Sequence, residues 1–135
     1  SLQLLIDLHL PAERQGPGSP ACTEQAIALA GLDSDTPLRI ADMGCGTGAS
    51  SLVLARHLNA QITAVDFLEP FLDELVVRAK AQGLADRIEP LCASMDQLPF
   101  EDDQFDVIWS EGAVYNMGFE KGVADWHRFL KPGGE

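Results

Sequence analysis

The sequence is short of positive charge: nine Lys and Arg stand against twenty-one Asp and Glu, a formal net charge of −12. A surface of that sign repels phosphate backbones and anionic lipid, which weighs against nucleic-acid and membrane partners. No apolar run approaches the ~20 residues needed to cross a bilayer. Residues 2–10 are apolar, but they carry Asp7 and His9 with no Lys or Arg ahead of them, unlike a secretory leader. Cysteine is scarce. Cys22, Cys45 and Cys92 are dispersed and form no C-x-x-C pair, and His9, His57 and His127 show no metal-ligand spacing. An odd, scattered set of thiols fits a reducing compartment and points to the cytoplasm. Internal repeats, low-complexity tracts and charge blocks are all missing.

What remains is a globular composition, 46% hydrophobic over 135 residues, which suits a single domain with one core. The ends read as those of a longer protein. The chain opens on Ser1, and it stops at Lys131-Pro132-Gly133-Gly134-Glu135, a turn of the kind that leads into another element. Residues 1–36 form an N-terminal helical or lid segment, in which Ser19 is a plausible cap and Pro20 the first residue of a helix ending at Gly31.

Beyond that segment the pattern alternates. Residues 38–43 read as a buried strand, 47–58 as a helix after a glycine-rich turn, and 61–65 as a second strand. Residues 69–82 carry Phe71, Leu72, Leu75, Val76 and Ala79 at helical spacing, closed by Gly83. Strands follow at 87–92 and 105–109, the latter after the polar turn Glu101-Asp102-Asp103-Gln104, and residues 122–130 read as a helix. Strand–helix alternation implies a parallel sheet with right-handed crossovers and helices on both faces. Ligands of such sheets sit at the carboxyl ends of the strands, at the switch in strand order.

The residues at those ends are distinctive. After the first strand comes Asp42-Met43-Gly44-Cys45-Gly46-Thr47-Gly48, whose alternating glycines let a ligand lie against bare backbone in front of a helix N-terminus. Asp66 ends the next strand, twenty residues past Gly46, where a carboxylate can accept hydrogen bonds from two ribose hydroxyls. Gly44, Gly46 and Ala49 also satisfy the dinucleotide pattern G-x-G-x-x-A, so a nicotinamide cofactor is the competing reading. Asp42 counts against it, because a carboxylate beside a pyrophosphate is costly, whereas a sulfonium or ammonium ligand gains from the same charge.

The run Ile40-Ala41-Asp42-Met43-Gly44-Cys45-Gly46-Thr47-Gly48 resembles the first motif of class I S-adenosylmethionine-dependent methyltransferases, an acidic residue followed by G-x-G-x-G. Asp66 and Phe67 resemble that family's ribose-binding acid and its neighbour. Ser94-Met95-Asp96 is similar to its adenine-binding segment, and 105–112, with Ser110, to its fourth motif. Leu130-Lys131-Pro132-Gly133-Gly134 is similar to the turn before the family's fifth strand. The loop 14–19 looks like the lid of small-molecule methyltransferases. The resemblance implies a Rossmann-like α/β domain with its C-terminal strands missing, since the family's sheet usually has seven. It implies S-adenosyl-L-methionine as cofactor, held by Asp42, Gly44, Cys45, Gly46, Asp66, Phe67, Ser94, Met95, Asp96 and Ser110. Methyl transfer to a small-molecule acceptor follows from it, with Glu111 and Tyr115 as candidate bases. A third reading, a domain that binds the cofactor as a sensor or partner subunit without turnover, stands beside these.

Overall fold

A computed structural model of the chain describes residues 4–8, 23–25, 27–28, 31–32, 34–94, 97–111 and 126–131. The strands are β1 (Leu4–Leu8), β2 (Leu38–Met43), β3 (Ala60–Asp66), β4 (Ile88–Cys92) and β5 (Val107–Glu111). The helices are α1 (Ala49–His57) and α2 (Glu69–Ala81), the latter with Pro70 in its first turn. The strands form one sheet in the order β1-β5-β2-β3-β4, every neighbouring pair parallel. The chain steps outward from β2 to β3 to β4, then returns to the far side of β2 for β5. The strand order therefore switches between β2 and β5, and the carboxyl ends there meet at Met43 opposite Ser110.

Strand alternation sorts the core onto two faces. Ile40, Ile62, Ala64, Val107 and Trp109 point to the side where Leu52, Val53 and Leu54 of α1 pack with Leu72, Leu75 and Ala79 of α2. Ala41, Met43, Val65 and Ile108 point the other way, into Phe105, Trp126, Phe129 and Leu130. Phe100 seals that side, meeting Phe105 and Phe129 edge-on with ring centroids 4.8 and 5.5 Å away. Trp126 is a buried packing residue, and His57, at the end of α1, contacts Glu24 at 2.9 Å.

The sheet has one more strand than the sequence pattern shows. Residues 2–10 read only as a short apolar segment, yet Leu4–Leu8 pairs in parallel along β5, Leu4 opposite Val107. A free edge of β5 offers unpaired N–H and C=O groups, and a five-residue extended stretch satisfies them. β5 also starts later than expected. Phe105 instead makes an isolated parallel bridge to Leu130, its N–H donating to Phe129 O at 2.8 Å. Of the helix expected at 122–130, residues 122–125 lie outside the described residues, and His127–Phe129 is a single 3-10 turn. Residues 23–25 and 27–28 are helical, and Gly31 (φ 69°) closes that helix with its N–H on Ala28 O at 3.1 Å. The expected start of that helix at Ser19 and the loop at 14–19 lie outside the described residues.

Two glycines separate backbone demand from packing demand. Gly48 and Gly83 both have positive φ, 94° and 71°, but a Cβ on Gly48 would collide with the buried Leu75 of α2, while one on Gly83 would meet nothing within 4 Å. Gly83→Ala should cost about 1 kcal/mol, the left-handed backbone penalty alone. Gly48→Ala should cost about 2–4 kcal/mol, because overpacking is added. Urea unfolding midpoints of the two variants check the difference.

Candidate cofactor site

The site is built where β2, β3, β4 and β5 end. Between β2 and α1 the chain crosses over itself in five residues, with Gly44, Gly46 and Gly48 at φ 69°, 59° and 94°. These left-handed values are cheap only for glycine. The turn is pinned at both ends. Cys45 N–H donates to Val65 O on β3 at 2.9 Å, and Gly48 N–H donates to Cys45 O at 3.0 Å. Among the described residues no side chain caps the first N–H groups of α1. A Cβ on Gly46 would meet nothing within 4 Å, so the space in front of the turn is open.

Asp66 ties the turn to the neighbouring strand. Its Oδ2 accepts from Gly46 N–H at 2.9 Å and its Oδ1 from Leu68 N–H at 3.0 Å. A carboxylate has about four lone-pair directions, so two remain for a ligand's hydroxyls. Directly after it, Phe67 is 63% exposed, with Leu68 and Phe71 exposed beside it. Phe71 thus belongs to a surface ledge and not to the core that its helical spacing suggested. Ala93 N–H reaches Asp66 O at 3.1 Å, which brings exposed Ser94 to the same edge. Ser110 is fully buried near the end of β5, and its Oγ has no hydrogen-bond partner among the described residues.

Asp42 sits elsewhere. It is 0% exposed, and its Oδ2 accepts from Ser51 Oγ at 2.6 Å. The carboxylate is buried and clasps β2 to α1 through Ser51. Ser51, a partner the sequence reading did not single out, lies in the first turn of α1, where a small hydroxyl next to the glycine turn is the signal for it. Cys45 is also buried, and burial pushes its thiol well above the ordinary range, with the charges of Asp42 and Asp66 adding to the push. Burial therefore favours the protonated thiol. The structure thus gathers Asp42, Gly44, Cys45, Gly46, Asp66, Phe67, Ser94 and Ser110 at one edge. Met95, Asp96 and Tyr115 lie outside the described residues, and Glu111 is placed by its backbone alone, as the last residue of β5.

A parallel sheet with a glycine turn and a strand-end acid at its switch point defines a nucleoside-cofactor domain, and the comparisons say of which family. A family model described as a methyltransferase domain matches residues 40–134, and the chain belongs to that family. A demethylmenaquinone methyltransferase of Clavibacter sepedonicus is 40% identical over 97 residues, covering 71% of this chain and 38% of the relative. The crystal structure of a Methanococcus maripaludis protein, provisionally assigned as an S-adenosyl-L-methionine-dependent methyltransferase, superposes with TM-score 0.76 at 29% identity, over 87% of this chain and 52% of that one. The [4+2]-cyclase SpnF superposes equally well, with TM-score 0.76 at 28% identity over 85% and 42%. The chain spans about half the length, or less, of the relatives it matches.

Two outcomes follow from the buried groups. Ser51→Ala should cost about 1–3 kcal/mol, because it strips a hydrogen bond from a buried carboxylate, and chemical denaturation reads it. The Cys45 thiol is held protonated by the fold, so deprotonation favours the unfolded chain. Stability should therefore be unaffected by this group below its ordinary value of 9.0 and fall as pH rises past it. Unfolding midpoints at pH 8 and pH 10 should drop less in Cys45→Ala than in the wild type.

Proposed function

We propose that the chain binds S-adenosyl-L-methionine at Asp42, Gly44, Cys45, Gly46, Asp66, Phe67, Ser94, Met95, Asp96 and Ser110, and that the protein transfers its methyl group to a small-molecule acceptor. The observation that carries the reading is the glycine turn itself. It is a bare backbone cradle, open in front of Gly46, with Asp66 hydrogen-bonded into its floor. The residues fit the group. Two buried carboxylates suit a cationic ligand and disfavour a pyrophosphate, and the buried Ser110 hydroxyl near the end of β5 has no partner among the described residues. Asp66 would hold the ribose hydroxyls, Phe67 would flank the adenine together with Met95, and Asp96 would accept from its amino group. Gly44, Cys45 and Gly46 would enclose the methionine end.

When bound, the cofactor supplies a methyl group on a positively charged sulfur, already a good leaving group. The protein's work is then alignment. Holding acceptor and methyl in line can supply roughly 7–11 kcal/mol of the barrier. Proton removal is needed only for an acceptor that must lose one, and Glu111 and Tyr115, just past β5, are the side chains proposed for it. Cys45 and Cys92 are free thiols, in keeping with the cytoplasm as the proposed setting. Among the described residues no helix is long and apolar enough to cross a membrane.

A second reading has a specific support. The fold of the [4+2]-cyclase is matched as well as that of a methyltransferase, so this cofactor half also suits a protein whose reaction is not methyl transfer. Calorimetry with the chain should show binding of both S-adenosyl-L-methionine and S-adenosyl-L-homocysteine and none of NAD. Phe67→Ala should weaken it about tenfold, the size of one lost base–aromatic contact, with the unfolding midpoint unchanged because Phe67 is exposed. Binding of NAD in place of both would sink the assignment. Methyl transfer by the full-length protein would separate the two readings.

A further inference from the structure

At the amino edge of the sheet, opposite the glycine turn, a cavity of about 330 Å³ opens where β2 and β3 begin. Its lining includes Arg39, Arg87 and Lys131, with Asp106, Asn59 and Gln61. Three of the nine Lys and Arg of a chain with net charge −12 converge on one hollow. Chance surface decoration would spread them.

The state of each charge decides what the cavity can take. Arg87 Nη1 donates to Ala55 O at 2.8 Å and to Leu58 O at 3.1 Å, covering the carbonyl end of α1. That offsets the negative helix terminus that would otherwise face an anion. A guanidinium has five N–H donors, so three remain on Arg87. Asp106 is occupied as well, its Oδ2 accepting from Arg39 N–H at 2.8 Å and its Oδ1 lying 3.4 Å from Lys131 Nζ. The Arg39 guanidinium has no partner among the described residues. Summed over these four charged groups, the cavity carries two net positive charges, with one whole guanidinium fork and part of another unused.

We propose that this cavity binds a small dianion, a phosphate ester or a dicarboxylate, at a site separate from the cofactor cradle. Arg39 is the recognition residue, since planar bidentate donation matches either anion. Arg87 supplies fixed donors, and Asn59 and Gln61 are positioned for the neutral remainder of the ligand. The volume exceeds that of a bare phosphate, which leaves room for such a remainder.

The test is titration of the chain with inorganic phosphate and, separately, with malonate, each against sodium chloride of equal ionic strength, read by calorimetry. Saturable binding of either is the expected result, and the anion that binds more tightly names the class. Arg39→Gln should weaken it about tenfold or more, the worth of one charge-assisted contact, while Arg39→Lys retains part of it. Circular dichroism and the unfolding midpoint should stay unchanged in both variants, because the Arg39 side chain is exposed. Absence of saturable binding by both anions, or equal binding by folded Arg39→Gln, would overturn the proposal. The readout does not involve the methyl donor, so it stands or falls apart from the cofactor assignment.

Discussion

The two oxygens of Asp66 hold the carboxyl edge of this domain together. One takes the amide of Gly46 in the turn after β2, and the other takes the amide of Leu68 at the start of the next connection. A carboxylate accepting backbone amides is a strong, directional tie, and here it fixes the distance between two neighbouring strand ends. The position of the bare backbone at Gly46, the angle at which Phe67 leaves the sheet and the approach of Ala93 to Asp66 all depend on it. Asp42 performs the complementary task one layer below, fastening α1 to β2 through Ser51. Two acids thus frame the turn from different depths, one near the surface and one sealed inside.

This arrangement also sets the site's electrostatics. Asp66 accepts from two backbone amides and Asp42 from the Ser51 hydroxyl, so both acids act as hydrogen-bond acceptors. Burial raises the thiol of Cys45, and the charges of Asp42 and Asp66 add to the push. A ligand with positive charge gains there, and one with phosphates loses. At the opposite edge of the sheet the sign reverses, with Arg39, Arg87 and Lys131 outnumbering Asp106. One β-sheet therefore presents two chemically distinct rims.

Much of this was legible in the residues alone. β2 matched its expected span, Leu38–Met43, because it lies between turn signals; α2 ended one residue early and β3 was one residue longer at each end. Asp66 and the glycines could be read because their chemistry depends on chain position, at a strand end and in a tight turn. β1 could not. Its pairing depends on the vacant edge of β5, about a hundred residues away in the chain, and no local pattern encodes that. Asp42 illustrates a different gap. The sequence shows an acid before the turn, but only packing shows that it faces Ser51 and not the open space. Phe71 fails in the reverse sense, since helical spacing assigns it a face without saying that the face ends at the site's rim. The basic cavity is invisible to sequence, as Arg39 lies on β2, Arg87 just before β4 and Lys131 after β5, far apart in the chain.

The central claim is that the cradle between Asp66 and the glycine turn receives an adenosyl ligand without phosphates. Amide chemical-shift mapping of the isotope-labelled chain with S-adenosyl-L-homocysteine tests it residue by residue. The account requires the Gly46, Phe67, Leu68 and Ser94 amides to move together and saturate at one affinity, with Arg39 and Gly83 still. Shifts at those positions with NADH and none with the adenosyl ligand would contradict it.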